Sequence, residues 1–244
     1  MRALSAAVLL DVWERGQTLA PARRAVLLLE AAAPDEAPEA LAALPVGRRD
    51  ACLLALRAQT FGPRLESLVA CPACGETLEL NLAADGLRAD APDDVPEVLS
   101  VEHDGYAVRF RLPTAGDLVE AAEGDGAVED AGQLLARCVV EARRGGAVLA
   151  ANALPGAVAA AVAAQMEAAD PQADVRLALT CPACAHAWQS TFDIVTFFWA
   201  EIDAWGRRTL RDVHALASAY GWREADILAM SAWRRQAYLN LVYG

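Results

Sequence analysis

The chain has 244 residues and a formal net charge of −12, enough length for one elaborated domain or two small ones that each bury a core. Its field repels polyanions and anionic membrane surfaces, which argues against a broad nucleic-acid or lipid footprint. All 21 basic residues are Arg and none is Lys, so a P-loop, a Schiff-base lysine and a Ser-Lys dyad are excluded.

Taken in order, MRALSAAVLLDVWER opens with a short apolar run that Asp11, Glu14 and Arg15 interrupt at once. This reads as a first helix and not as a signal peptide. Helical patterning continues through AVLLLEA and DACLLALRAQ, broken by PDEAPE and LPVG, and predicts a helical region over residues 1–66. After the first CPAC, at 71–74, Leu78, Leu80 and Leu82 alternate with Glu79 and Asn81, as a strand requires. The acidic, Pro-containing ADGLRADAPDDVPE is a loop. VLSVEHDGYAVRFRL then predicts a β-hairpin turning at Asp104-Gly105. Thr114 is placed to cap a helix, with Asp117 three residues on, and a longer helix is expected over 128–144. A further Ala-rich helix is expected over 155–169, stopped by Asp170-Pro171. The most apolar window, starting at Gly146, is broken by Asn152 and Pro155, unlike a membrane span.

VRLALT leads into a second CPAC, at 181–184, and HAWQSTFD leaves it. The strand, knuckle, strand order of residues 67–82 is thereby repeated. Beyond it, Val195, Phe198, Ile202, Trp205, Thr209, Val213, Leu216 and Tyr220 line one helical face. Gly221 supplies a C-terminal stop, and two shorter helices follow from Glu224 and from Ser231, the latter as its own N-cap. The expectation is an α+β fold: helical N- and C-terminal layers (1–66 and 194–244) around a small antiparallel zinc-ribbon-like unit. That unit is split between 67–83 and 174–193 by an inserted hairpin and helices at 84–173.

Four of the six cysteines sit in the two CPAC motifs, and each CxxC turn can offer two thiolates to one metal ion. Cys71, Cys74, Cys181 and Cys184 make a complete tetrahedral set for one structural Zn2+ per chain. About 10 kcal/mol of binding free energy is then linked to folding. Four thiolates close the coordination shell and leave no position for a catalytic water. His186 is an alternative ligand. CPxC also occurs in redox sites, which start a helix at the first cysteine; here each motif precedes a strand pattern. Cys52 and Cys138 lie in apolar runs and read as buried small hydrophobes.

His103, His186 and His214, the three histidines, fall in no Ser-His-Asp, HExxH or Cys-His pattern, so no enzyme is expected. Arg pairs at 23-24, 48-49, 143-144, 207-208 and 234-235 have Asp50, Glu141, Asp203 and Asp212 nearby, which favours ion-paired helix faces over phosphate contacts. Aromatic residues crowd the last quarter. Trp222, Trp233 and Tyr238 with Arg234 and Arg235 make a candidate partner interface.

The stretches LPVGRRDACLLALRAQTFGPRLESLVACPACGETLEL, RLPTAGDLV and WAEIDAWGRRTLRDVHALASAYGWREADILAMSAWRRQAYLNLV resemble the T-even phage baseplate hub assembly chaperone family. The likeness is to members encoded with extracellular contractile injection systems of bacteria. It rests on GRRD at 47–50, FGP at 61–63, both CPAC motifs and the AYGW, RR and YL pattern near the C-terminus. It implies a cytoplasmic, non-enzymatic factor that binds hub or baseplate proteins of a contractile phage-tail-like particle. A permanent baseplate subunit, a nucleic-acid-binding ribbon and a dithiol oxidoreductase are the competing readings.

Overall fold

A computed structural model describes residues 1–90, 95–123 and 131–243. Four helices open the chain: α1 (Ala6–Gly16), α2 (Pro21–Ala32), α3 (Pro38–Ala42) and α4 (Val46–Phe61). Ser5 caps α1 by accepting the Val8 N–H, and Pro begins α2 and α3 at the position where no donor is missed. Next come β1 (Arg64–Ala70) and β2 (Thr77–Ala83), then β3 (Leu99–His103), β4 (Tyr106–Phe110), α5 (Ala115–Glu123) and α6 (Ala131–Cys138). The chain continues through β5 (Val139–Arg144), β6 (Ala147–Leu149), α7 (Gly156–Ala169), β7 (Arg176–Thr180) and β8 (Ala187–Thr191). It ends in α8 (Ile194–Tyr220), α9 (Glu224–Leu228) and α10 (Ala232–Tyr243). The fold is α+β, as expected.

The helix α8 is the spine. Its first half, with Ile194, Val195, Phe198 and Ile202, closes the main core against Leu28 and Leu29 of α2 and Leu53 and Leu56 of α4. Its second half gives Val213 and Leu216 to a smaller core with Leu10, Ile227, Leu228 and Leu239. Such an apolar stripe stabilises a helix through burial far more than propensity does. Helices α1 and α8 run antiparallel and exchange large side chains for absent ones: Trp199 lies over Gly16 and Trp13 over Gly206, where a Cβ at either glycine would overlap the indole. The Trp13 indole N–H then donates to Asp203 Oδ1 at 2.9 Å, satisfying the polar end of a half-buried ring. Gly221, at φ 69°, ends α8 in the left-handed conformation.

A four-stranded antiparallel sheet, in the order β3-β4-β5-β6, packs Tyr106, Val108, Phe110 and Ala142 on Val158 and Val162 of α7. Asp104 (φ 51°) and Gly105 (φ 75°) make the predicted turn, both left-handed as a tight hairpin between twisted strands demands. The helix expected over 128–144 is corrected here. Residues 128–130 lie outside the described residues, α6 stops at Cys138, and 139–144 form a strand paired with β4. Leu135, Cys138, Val139 and Ala142 step like a helix face, but β-branched Val139 and Val140 suit a strand. Gly145 (φ 55°) and Gly146 (φ 87°) then supply the turn that lets β6 return beside it.

Three polar clamps fix this inserted region. Thr114 and Asp117 cap α5 reciprocally, the Thr114 N–H donating to Asp117 Oδ2 at 2.8 Å and the Asp117 N–H to Thr114 Oγ1 at 3.2 Å. Arg111 adds two hydrogen bonds to the same carboxylate, at 2.6 and 2.8 Å. Burial raises the Asp117 pKa, but the Arg111 and Thr114 donors outweigh it and hold the group at about 2. At the other end, Asp170 caps α4 from beyond α7, accepting the Gly47 N–H at 2.8 Å. Any Cβ at residue 47 would overlap the Asp170 carboxylate, which explains the glycine of GRRD. In the same motif Arg49 donates to Asp50 at 2.7 Å. Gln172 accepts the Ala89 N–H at 2.8 Å and donates to the Leu87 carbonyl at 3.2 Å, tying the return of the insertion to its departure.

Candidate metal centre

Two separate antiparallel hairpins carry the CPAC motifs. In the first, β1 pairs with β2 from Arg64↔Ala83 to Ala70↔Thr77; in the second, β7 pairs with β8 from Arg176↔Thr191 to Thr180↔Ala187. Each knuckle is the turn of its hairpin. The Cys71 N–H donates to the Glu76 carbonyl at 2.8 Å and the Gly75 N–H to the Cys71 carbonyl at 2.9 Å. In the second knuckle the Cys181 N–H donates to the His186 carbonyl and the Ala185 N–H to the Cys181 carbonyl, both at 2.9 Å. The internal repeat read from the sequence is therefore a repeat of backbone geometry as well.

The knuckles face each other. Cys71 Sγ lies 3.8 Å from Cys184 Sγ, and Cys74 Sγ lies 3.6 Å from Cys181 Sγ; all four sulfurs fall within 4.8 Å of one another. A disulfide needs about 2.05 Å, so these are thiols. Four sulfurs at about 2.3 Å from a tetrahedral metal stand about 3.8 Å apart, and the observed pair distances match that edge. Cys71 and Cys181 are buried while Cys74 and Cys184 are exposed, giving the cluster one covered and one open side. The donor set fits a thiophilic divalent ion such as Zn2+.

Backbone amides support the sulfurs. The N–H groups of Ala73 and Cys74 point at Cys71 Sγ, that of Glu76 at Cys74 Sγ and that of His186 at Cys184 Sγ. Burial raises the Cys71 pKa, but these donors and the neighbouring sulfurs bring it down to about 7. At Cys74 the Glu76 N–H lowers the pKa, yet the Cys184 sulfur, burial and the other two sulfurs prevail and push it up to about 12. Negative charge shared among four close sulfurs is costly for the last thiol to ionise, and a bound cation removes that cost.

The remaining candidates fall elsewhere. The His186 ring stacks on Trp188, with centroids 5.9 Å apart and planes at 14°, and the four-membered cluster consists of cysteines alone. Neither CPAC starts a helix; each leads into a strand, which withholds the helix dipole that activates a redox CxxC. Cys138 is buried at the end of α6, and burial pushes its thiol up to about 11. Cys52 is half-buried in α4. At least one member of each Arg pair is engaged within the fold: Arg24 with the Gly16 carbonyl, Arg49 with Asp50, Arg143 with Glu141, Arg207 with Asp203 and Arg235 with Asp212.

The C-terminal aromatic residues divide. Trp222 stacks on Tyr220 at 4.5 Å and meets Tyr238 edge-on at 4.8 Å, and Arg234 lies over Tyr238 at 5.8 Å. Trp233 instead stands 82% exposed, and Arg235 is only 7% exposed. The structural role of Arg57 was not legible in the sequence. It lies in α4, 2% exposed, and donates to the Gly62 and Arg64 carbonyls at 2.7 and 2.6 Å and to both oxygens of Glu201 at 2.8 and 2.5 Å. It thus fastens the start of β1 to α8. Nothing local in the sequence links the Gly62 turn it braces to Glu201.

No helix among the described residues is long and apolar enough to cross a membrane. No curated protein and no solved structure matches the chain. A family model described as T4 bacteriophage base plate protein matches residues 26–199, a span that runs from α2 through both knuckles and the insertion into α8. With its two knuckles at one centre and its insertion clamped to α4, the chain belongs to the T4 bacteriophage base plate protein family.

Proposed function

We propose that this chain is a non-enzymatic assembly factor for the baseplate hub of a contractile phage-tail-like injection system. It acts in the cytoplasm, with one structural Zn2+ joining residues 67–83 to 174–193. The observation that carries the reading is the family match over 26–199, which encloses the four-thiol cluster. The zinc closes a ribbon whose two halves are separated by the insertion, so that metal binding fixes the helical layers relative to one another. The helical C-terminal unit, with exposed Trp233, supplies the contact to hub or baseplate proteins.

The test is sedimentation of lysate from a producing strain, with mass spectrometry across the gradient. An assembly factor travels with a small soluble hub complex and is missing from mature particles. Stoichiometric presence in sedimented particles would make the chain a permanent baseplate subunit. Absence from both fractions, with assembled particles in the same gradient, would sink the assembly role.

A further inference from the structure

A cleft of about 630 Å³ opens between α8, α10, the end of α4 and the segment leading into α1. Its apolar wall is made by Leu4, Leu9, Phe61, Trp205 and Met230. Its polar wall is made by Arg208, Thr209, Asp212 and Arg235. The volume falls within the range of about 300–1,000 Å³ usual for specific ligand sites.

The polar wall is under-satisfied. Arg235 is more than nine-tenths buried, yet its nearest charge contact is Nε to Asp212 Oδ2 at 3.7 Å, beyond hydrogen-bond reach. Its guanidinium makes no hydrogen bond among the described residues. No fully enclosed side-chain nitrogen or oxygen among them lacks a partner, so the unused N–H groups of Arg235 reach the cleft surface. The Thr209 hydroxyl, on a residue 1% exposed, likewise has no partner among the described residues and lines the same wall. Arg208 carries no ion pair among the described residues. Asp212 is the single carboxylate in the wall; burial raises its pKa against the opposing charges of Arg235, Arg208 and, from outside the cleft, Arg211. One anion beside the two guanidinium groups of the wall leaves a local positive surplus on a chain of net charge −12.

Arginine's planar fork favours a carboxylate or phosphate oxygen pair. An inorganic ion would satisfy the guanidinium groups and leave the apolar wall wet. A side chain that joins a carboxylate to an adjacent apolar group covers both. We propose that this cleft receives an acidic and apolar segment of a partner protein. A Glu or Asp carboxylate docks on Arg235 and Arg208 while a neighbouring apolar side chain covers Trp205, Phe61 and Met230. The partner's identity as a baseplate protein rests on the reading above; the chemistry of the cleft does not.

The experiment uses the full zinc-loaded chain on an array of immobilised hexapeptides in which Glu or Asp adjoins Leu, Phe or Trp, each beside its Gln or Asn version. The expected result is retention at least about tenfold stronger on the carboxylate peptides. That preference is lost in Arg235→Gln and in Arg208→Gln, a substitution at an exposed position that leaves melting unchanged and so separates binding from folding. Equal retention on Glu and Gln peptides would overturn the proposal. So would a full preference in Arg208→Gln, or inorganic phosphate that abolishes retention while apolar content makes no difference, which marks a plain anion site. Pull-downs from a producing strain separate the two readings. Baseplate proteins held by the wild-type chain and lost from Arg208→Gln support the cleft; equal capture by both chains removes the cleft but keeps the assembly role. If the wild-type chain captures none, the assembly role fails and the array still decides the cleft.

Discussion

The two knuckles are the same turn built from different residues. Both close with the same pair of backbone hydrogen bonds, and both place the residue after the second cysteine at positive φ: 77° at Gly75 and 58° at Ala185. Their attachments differ. The first hairpin has seven-residue strands and is held to α8 by Arg57 and by Leu65 in the main core. The second has five-residue strands and runs into α8 directly, through the Asp193 cap. What is shared is the turn that brings four sulfurs within 4.8 Å of one another; what differs is how each hairpin reaches the helical layer.

The comparison breaks most completely if the two knuckles do not share an ion. Replacing one ligand from each, Cys71→Ser and Cys184→Ser, should reduce bound zinc from one per chain towards none in both variants. The melting temperature should fall by about 10 °C or more, since several kcal/mol of metal binding are linked to folding. Chelation of the wild-type chain should reproduce the same loss. Atomic emission for zinc and a melting scan decide it. Normal zinc content in either variant would mean that the knuckles do not close one site.

A smaller effect sharpens the asymmetry of attachment. Arg57→Met removes the donors to two carbonyls and leaves the Glu201 carboxylate unpaired against α4, a loss of about 3 kcal/mol. The zinc site itself should still fill. Amide exchange should quicken in β1 and β2 and leave β7 and β8 close to wild type, because among the described residues no buried guanidinium braces the second hairpin. Equal acceleration in both hairpins would show that the ribbon opens as one unit.

Sequence patterning disclosed those features whose cause is local. Leu78, Leu80 and Leu82 alternate because one face of a hairpin is covered. Asp104-Gly105 and Gly221 are legible because positive φ selects them, and Thr114 and Ser231 because helix ends need acceptors. The four-cysteine cluster was legible for the same reason, since CxxC spacing is itself a geometric statement. Strand β5 was hidden because Leu135, Cys138, Val139 and Ala142 satisfy a helical period, and pairing with β4 decides between the two. Asp170 against Gly47, Arg57 with Glu201, and the cleft at Arg235 were hidden because each joins residues from distant parts of the chain, and no local pattern records such pairs.

The smallest expected effect isolates the turn itself. Gly75 and Ala185 occupy equivalent left-handed positions, and a Cβ built at Gly75 meets nothing within 4 Å, so Gly75→Ala changes backbone strain without disturbing packing. It should destabilise the chain by about 1 kcal/mol. Ala185→Gly relieves a similar strain, but the freer unfolded chain takes back about 0.4–1 kcal/mol, so this variant should equal the wild type or exceed it slightly. Denaturant midpoints at saturating zinc measure both. Opposite signs fit two copies of one metal-binding turn, the second tolerating an alanine at a residual strain. Equal destabilisation by both substitutions would instead mean that the Ala185 methyl contributes packing of its own, and that the second knuckle has departed from the first in more than its sequence.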